Sequence, residues 1–287
     1  MSTRETTPSV AVTGATGKVG RQVARLLSEA GVPARLIVRD PARAPQLPGT
    51  TTAQASYGDL PASRIALLGI RTLFMVSAEE SPDRLEQHVA FIDAAVEAGV
   101  EHIVYTSFFG ASPDATFTLA RDHFATEQKL CGTGLKYTLL RDNFYQDVLT
   151  EFAGPEGIIR GPAGDGRAGF VAREDVARVA ATILETPMPH AGFTYDLTGP
   201  ESLTLAEAAA IITEVTGRPT SYLDETVEEA YASRARYNAP DWQLDAWVST
   251  YTAIASGELD KVTNDVELLT GRRPLSLREL LARPTGE

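Results

Sequence analysis

The sequence has almost no cysteine and no long hydrophobic run. Cys131 is the one cysteine among 287 residues, which excludes an intrachain disulfide and a cysteine-based zinc cluster. No window approaches the roughly 18 uninterrupted apolar residues that a membrane-spanning helix needs. The amino-terminal MSTRETTPSV lacks the apolar stretch of a secretory signal. The histidines are scattered without the spacing of metal ligands. We therefore expect a cytoplasmic protein with no membrane segment and no metal site.

Positive charge is also scarce, with 26 Lys and Arg against 38 Asp and Glu and a formal net charge of -12. This excess of acid argues against binding nucleic acid through its phosphates and against docking on an anionic membrane. An anionic ligand would have to be met by a local positive site. The composition, 43% hydrophobic and 22% charged, is typical of a globular protein that buries a large core.

The first two-thirds of the chain alternates short apolar runs with amphipathic stretches. The pattern predicts strands over 9–13, 35–39, 51–55, 72–76, 102–107 and 137–141. It predicts helices over 18–30, near 120–130, and after 81, where Ser81 is the expected N-cap and Pro82 the first helical residue. This order is typical of an α/β protein with a doubly wound parallel sheet and helices on both faces.

The pattern loosens after about Gly154. Glycine and proline cluster over 154–169, which predicts a surface loop. Helices are expected over 174–185, 205–216, 225–235 and 241–256, with capping boxes at Thr204 and Ser276. We expect a nucleotide-binding domain over 1–153, to which 170–198 returns, and a smaller, mostly helical lobe over 154–169 and 199–287 that binds the substrate.

The strongest local pattern is Val12–Gly20, in which glycines at 14, 17 and 20 follow a strand and open a helix. Such glycines let backbone N–H groups approach a diphosphate, whose charge the helix N-terminus stabilises. The predicted ligands of the diphosphate are Gly14, Thr16, Gly17, Lys18 and Val19. Two alternatives stay open: a plain strand-to-helix turn, and a solvated Lys18.

The end of the second strand normally selects the nicotinamide cofactor. An arginine there accommodates the 2′-phosphate of NADP, whereas an acid binds the 2′-hydroxyl of NAD. Arg39 comes first, which favours NADP(H) over NAD(H), although Asp40 keeps NAD(H) open. Asp59 and Leu60 are expected near the adenine, with a turn-forming aspartate as the alternative. Val76 and Ser77 are expected along the path of a ribose.

Several motifs in this order resemble a known family. They are Val12–Gly20, Val38–Arg43, Ile103–Ser107, His123–Glu127, Tyr137–Arg141 and Phe170–Asp175. Together they resemble atypical short-chain dehydrogenases/reductases of the NmrA-like group, and above all the NAD(P)H-dependent type-2 quinone oxidoreductases and triphenylmethane reductases. The resemblance implies a Rossmann domain and hydride transfer to an aromatic or quinone-like small molecule. A homodimer stays open.

The Tyr-x-x-x-Lys dyad of most short-chain dehydrogenases is absent. The residues four positions before Lys18, Lys129, Lys136 and Lys261 are Gly14, Ala125, Gly132 and Gly257. Two interpretations remain. We favour a reductase whose acceptor, a quinone or a cationic dye, needs little help from an acid. The alternative is a redox-sensing regulator of the NmrA type that binds cofactor without turnover. A biosynthetic reductase or isomerase of a larger aromatic metabolite is a third hypothesis.

The same resemblance suggests residues at the reacting end. His123 could donate to a quinone oxygen or orient the nicotinamide ribose, unless it is satisfied within its helix. Asn143 and Tyr145 are expected near the acceptor, although Tyr145 could instead pack in a helix. Phe144 is expected to wall the nicotinamide, and Ser107 lies near the serine of related enzymes. Late aromatic residues would suit a flat acceptor or, more often, pack helices together: Tyr222, Tyr231, Tyr237, Trp242, Trp247 and Tyr251.

Overall fold

A computed structural model describes residues 8–283, which fold as two compact units. The first unit contains 8–107, 122–140 and 176–195, and the second contains 108–121, 141–175 and 196–283. The chain therefore passes between units more often than the division expected from the sequence. The assignment of cofactor to one domain and substrate to the other remains a prediction.

The strands and helices alternate through the first two-thirds of the chain, as predicted. The strands are β1 (Val10–Thr13), β2 (Ala34–Val38), β3 (Thr50–Gln54), β4 (Thr72–Met75), β5 (His102–Phe108), β6 (Lys136–Asp142), β7 (Ile158–Gly161), β8 (Arg167–Ala168), β9 (Thr194–Leu197), β10 (Leu203–Thr204) and β11 (Ser221–Asp224). The helices are α1 (Lys18–Glu29), α2 (Leu60–Leu67), α3 (Arg84–Glu97), α4 (Thr118–Cys131), α5 (Leu149–Phe152), α6 (Arg173–Glu185), α7 (Leu205–Thr216), α8 (Val227–Arg234), α9 (Asp241–Ala255), α10 (Asp265–Thr270) and α11 (Leu277–Leu281).

The main sheet has seven strands in the order β3-β2-β1-β4-β5-β6-β9. Parallel pairing joins β1 to β2 and β4, β2 to β3, and β4 to β5. The strand order reverses direction at β1, which confirms the doubly wound fold. Every residue of β1, β4 and β5 is buried, because helices cover a parallel sheet on both faces. The largest side chains in this core are Tyr105, Phe74 and Phe91.

The second unit combines helices with two short strand pairs. Strand β11 pairs with β7 in parallel, and β10 pairs with β8 in antiparallel fashion. Capping boxes begin α7 at Thr204, α8 at Thr226 and α11 at Ser276. The predictions for Thr204 and Ser276 are confirmed, and each box satisfies two backbone N–H groups that a helix start would leave without partners.

The predicted surface loop over 154–169 is wrong. This segment contains β7 and β8, and Ile159, Ala163 and Ala168 are fully buried. A Cβ atom on Gly161 would lie 2.4 Å from the ring of Tyr251. That glycine therefore permits close packing inside the second unit, rather than marking an exposed turn.

The predicted start of α3 is also wrong. The helix begins at Arg84 with Asp83 as its N-cap. The amide of Arg84 donates to the carbonyl of Ser81 at 3.2 Å, which closes a turn that holds Pro82 before the helix. The Ser81 hydroxyl accepts from the side chain of Gln87 at 3.3 Å, so it is not used as a backbone cap.

Within residues 8–283, no helix has both the length and the apolar character that crossing a membrane requires.

Candidate cofactor and acceptor site

The glycine loop between β1 and α1 has the geometry of a phosphate cradle. Gly14 has a φ of +63°, a conformation that side chains disfavour. The amide of Gly17 donates to the Gly14 carbonyl at 2.8 Å and closes the turn. A Cβ atom on Gly20 would lie 2.4 Å from the same carbonyl oxygen. The loop can therefore run directly against the helix only because glycines occupy these positions.

The start of α1 presents free backbone N–H groups rather than a side-chain cap. Its N-cap is Gly17, and no acidic residue lies in its first turn. An uncapped helix N-terminus carries partial positive charge and binds phosphate readily. Lys18 is exposed and has no carboxylate partner in the part of the chain that the structure describes. These residues fit a diphosphate. Thr16 is half-buried, whereas the side chain of Val19 is buried and leaves only its backbone for a ligand.

The end of β4, with Val76 and Ser77, lies beside this loop. A Cβ on Gly14 would be 3.1 Å from the Cβ of Val76, so the two residues are in close contact. The amide of Val76 donates to Thr13 Oγ1 at 2.9 Å, and the amide of Ser77 donates to Thr106 Oγ1 at 2.8 Å. These bonds fix the backbone at the end of β4, and a contact of Val76 or Ser77 with a ribose remains a prediction.

At the end of β2, Arg39 forms an ion pair that the sequence did not reveal. Its guanidinium donates to both carboxylate oxygens of Glu79, at 2.9 and 3.3 Å, and both side chains are exposed. Asp40 instead caps the turn over Pro41–Arg43 by accepting from the Ala42 amide at 3.0 Å. The carboxylate of Asp40 is thus bound within its own turn, and the guanidinium of Arg39 is bound to Glu79.

Asp59 caps a helix, which is the alternative left open by the sequence. Its carboxylate accepts from the Ala62 amide at 3.0 Å, and Leu60 is the first residue of α2. A contact of either residue with adenine remains a prediction.

His123 lies in α4, where both ring nitrogens contact other side chains. Nε2 is 2.9 Å from a guanidinium nitrogen of Arg84, and Nδ1 is 3.0 Å from the hydroxyl of Tyr105. Burial and the nearby Arg84 hold the pKa of His123 well below its usual range, so the ring is neutral. Since Arg84 only donates, Nε2 accepts and the Nδ1 proton faces Tyr105. A direct bond from His123 to an acceptor would require this arrangement to change, and that role remains a prediction.

A second histidine extends the same network toward the loop after β4. His88 Nε2 accepts from the Ala78 amide at 2.8 Å, and His88 Nδ1 is 2.9 Å from Thr126 Oγ1. Arg84 donates from Nε to the carbonyl of Ala78 at 3.0 Å. Burial and Arg84 lower the pKa of His88 to about 3. The sequence analysis missed Arg84 and His88, since on a helix they look like ordinary members of an amphipathic pattern.

Ser107 and Asn143 are both buried and both bind protein groups. The Ser107 hydroxyl donates to Glu127 at 2.5 Å within the first unit. In the second unit, Asn143 donates from Nδ2 to the Leu259 carbonyl at 3.1 Å and accepts the Phe144 amide at 2.8 Å. Asn143 therefore holds its own segment in place. Contacts of Ser107 and Asn143 with a ligand remain predictions.

Phe144 belongs to an aromatic cluster of the second unit. Its ring centre is 4.9 Å from that of Phe108 and 5.1 Å from that of Phe117. Such tilted and edge-to-face pairs fix the ring orientation. Phe144 is partly exposed, as a wall for the nicotinamide would have to be, and that contact remains a prediction.

Tyr145 contacts a carboxyl group that the sequence analysis did not single out. Its hydroxyl lies 2.8 Å from Oδ2 of Asp142, and the guanidinium of Arg173 lies over its ring, 5.0 Å from the centre. Asp142 is the last residue of β6 and is only 3% exposed. Burial raises the pKa of Asp142 to about 8. The pKa of Tyr145 is raised well above its usual value by its own burial and by Asp142.

The second unit also contains a pocket of about 620 Å³. Its wall brings together three of the aromatic residues considered above, Tyr237, Trp247 and Tyr251. The rings of Tyr237 and Trp247 meet edge to face at 5.8 Å. The other three, Tyr222, Tyr231 and Trp242, do not line it.

Comparison with known proteins gives a consistent result. Residues 14–187 match the NAD(P)H-binding family. Quinone oxidoreductase 2 of Escherichia coli is 34% identical over 278 residues, covering 94% of this chain and 96% of that protein. The crystal structure of the NADPH-dependent quinone oxidoreductase from Escherichia coli complexed with NADPH aligns with a TM-score of 0.87 at 33% identity, covering 95% of this chain and 98% of that one. For Citrobacter sp. triphenylmethane reductase complexed with NADP(H), the TM-score is 0.84 at 30% identity, covering 95% and 99%. The resemblance inferred from the sequence is confirmed, and the chain belongs to the NAD(P)H-binding family.

Proposed function

We propose that this NAD(P)H-dependent oxidoreductase transfers hydride from NADPH to a quinone or a similar conjugated electrophile. The observation that carries the proposal is the uncapped start of α1 behind Gly14 and Gly20, which fits a dinucleotide diphosphate. The relatives named above are a quinone oxidoreductase and a triphenylmethane reductase. Both acceptors named there are conjugated: hydride addition neutralises a cationic dye, and the negative charge that it leaves on a quinone is delocalised over the ring.

Two contacts support NADPH over NADH. The Asp40 carboxylate accepts from the Ala42 amide, so it is directed into its own turn rather than toward a ribose hydroxyl. Arg39 holds an exposed carboxylate, Glu79, in the fork geometry that would also hold a phosphate. Exposed ion pairs of this kind are weak, so a 2′-phosphate can replace the carboxylate.

The reaction needs few protein groups. The bound nicotinamide would supply the hydride, while the glycine loop and α1 hold the diphosphate and Arg39 holds the 2′-phosphate. The pocket with Tyr237, Trp247 and Tyr251 offers flat apolar faces to the acceptor. The chain has no Tyr-x-x-x-Lys dyad, which favours an acceptor that is easily reduced. Positioning of donor and acceptor would then supply most of the rate enhancement.

The test follows the oxidation of NADPH and of NADH by absorbance across a panel of quinones and dyes. We expect acceptor-dependent oxidation with a preference for NADPH. Arg39→Ala should raise KM for NADPH by about 10- to 100-fold, because a charge-assisted contact contributes about 1.5–3 kcal/mol. KM for NADH should barely change.

Arg25→Ala is the matched control, because it removes an arginine that also forms an exposed pair with a glutamate, Glu29. Tight NADPH binding with no acceptor-dependent oxidation would contradict the reductase and favour the cofactor-sensing alternative. An NADH preference that survives Arg39→Ala would contradict the cofactor assignment.

A further inference from the structure

The carboxyl group of Asp142 is buried with one oxygen unsatisfied. Its Oδ2 lies 2.8 Å from the Tyr145 hydroxyl, whereas Oδ1 has no hydrogen-bond partner among residues 8–283. Buried polar atoms are almost always hydrogen-bonded, and exceptions often mark functional sites. Asp142 ends a strand of the parallel sheet, and ligands of doubly wound folds bind beyond the carboxyl ends of the strands.

Burial favours the neutral acid, since a carboxylate in this position would leave a charged oxygen without a partner. The pKa of Asp142 is accordingly raised to about 8, and the group holds a proton at neutral pH. The Tyr145 hydroxyl donates to Oδ2 at 2.8 Å. A proton on Oδ2 would reverse this bond, so that Asp142 donates to the oxygen of Tyr145. The hydroxyl hydrogen of Tyr145 is then available to a different acceptor.

One charged group beside this pair, Arg173, favours transient negative charge on Tyr145. The guanidinium of Arg173, at the start of α6, lies over the tyrosine ring and partly offsets the burial and the Asp142 contact that raise the pKa of its hydroxyl. Asp147 acts in the opposite sense. Its carboxylate, however, accepts from the Arg173 amide at 2.9 Å, which ties it to the start of the same helix. The side chain of Tyr145 is partly exposed.

We propose that Asp142 and Tyr145 form a proton relay that takes the place of the missing Tyr-Lys dyad. The inference rests on the proposed function. Hydride addition places negative charge on an oxygen of the quinone, which gains two electrons from NADPH. That oxygen forms an O–H bond as the Tyr145 O–H bond breaks. The Asp142 Oδ2–H bond breaks in turn, and its proton restores Tyr145. Asp142 is left as a carboxylate, and water reprotonates it after the product leaves.

The relay predicts a split between two acceptors. A quinone needs a proton as well as a hydride, whereas a cationic triphenylmethane dye takes the hydride alone and becomes neutral. Asp142→Asn and Tyr145→Phe should therefore lower kcat with a quinone by about 10²-fold or more, the lower end of what a general acid contributes. Their rates with the dye and their affinities for NADPH should stay close to those of the unchanged protein.

The structure offers a matched control in the same unit. Tyr222 donates to Asp224 at 2.8 Å, so Asp224→Asn alters a second tyrosine–aspartate contact of equal length. Asp224 is exposed, and we expect this variant to keep both rates.

Two further measurements separate proton transfer from a structural role. The rate with the quinone should fall as pH rises above about 8. In Asp142→Asn this fall in rate should be absent. Without any acceptor, infrared spectroscopy should show the carbonyl band of a protonated carboxyl group, which Asp142→Asn abolishes.

The relay is overturned if the variants reduce the quinone and the dye at equally lowered rates, or if both rates stay unchanged. It is also overturned if the infrared band of the protonated carboxyl group is absent at neutral pH. The proposed function fails separately, when the unchanged protein binds NADPH but reduces no acceptor.

Discussion

Replacing Asp142 by asparagine should change how the stability of the protein depends on pH. In the folded chain, burial raises the pKa of this carboxyl from the ordinary 3.8 to about 8. Between these values the folded state binds more protons than the unfolded state, so the free energy of unfolding falls as pH rises. The slope for one such group is about 1.4 kcal/mol per pH unit. The stabilising contribution of Asp142 to the free energy of unfolding is complete below about pH 4 and is lost by about pH 8.

The free energy of unfolding of the unchanged protein, minus that of Asp142→Asn, should therefore fall by about 4 kcal/mol between pH 4 and pH 7. Contributions of the other carboxyl groups cancel in this difference. Urea unfolding followed by tryptophan fluorescence suits the measurement, because Trp242 and Trp247, the chain's 2 tryptophans, share a unit with Asp142. Asp114→Asn removes an exposed carboxylate from the same unit and is the control. A difference that stays constant across this range would refute the reasoning.

Three further predictions concern the cofactor and the acceptor. Glu79→Gln removes the carboxylate that competes for Arg39 and should lower KM for NADPH by about 2- to 5-fold, as expected from an exposed ion pair; an unchanged KM would show that the pair does not compete. Trp247→Ala should raise KM for a quinone by about 2- to 10-fold through loss of an aromatic face, while Trp242→Ala, outside the pocket, should not. Gly20→Ala places a Cβ 2.4 Å from a backbone oxygen and should destabilise the protein by about 1–3 kcal/mol. Calorimetry should show weaker binding of both NADPH and NADH. A variant that binds both coenzymes normally would contradict the assignment of the glycine loop as a phosphate cradle.

Some features that the sequence interpretation left open or did not identify are local ones that the sequence does contain. Asp40 precedes a proline and Asp59 lies two positions before one, a pattern typical of an N-cap, and both residues cap the turns that follow them. The third capping box, at Thr226 with Glu229, has the same spacing as the two that were predicted. These features lie within three residues along the chain, so spacing alone was sufficient to find them.

Other features depend on residues that are distant in the chain. Strand β7 exists because β11 pairs with it, and neither short segment contains enough alternation to be recognised by itself. Arg39 meets Glu79 across 40 residues, and His123 meets Arg84 across 39. No periodicity of the sequence encodes such pairs.

The sequence by itself determined the parallel sheet, its alternating helices and the glycine loop that we propose holds the cofactor. Each of these follows from local rules, namely the burial of apolar runs, the period of a helix and the backbone freedom of glycine. The tertiary structure alone decided which polar side chains are engaged and which titrate unusually. Asp142 shows the reason: its pKa is set by the exclusion of water, and water is excluded by packing that forms only when the whole chain has folded.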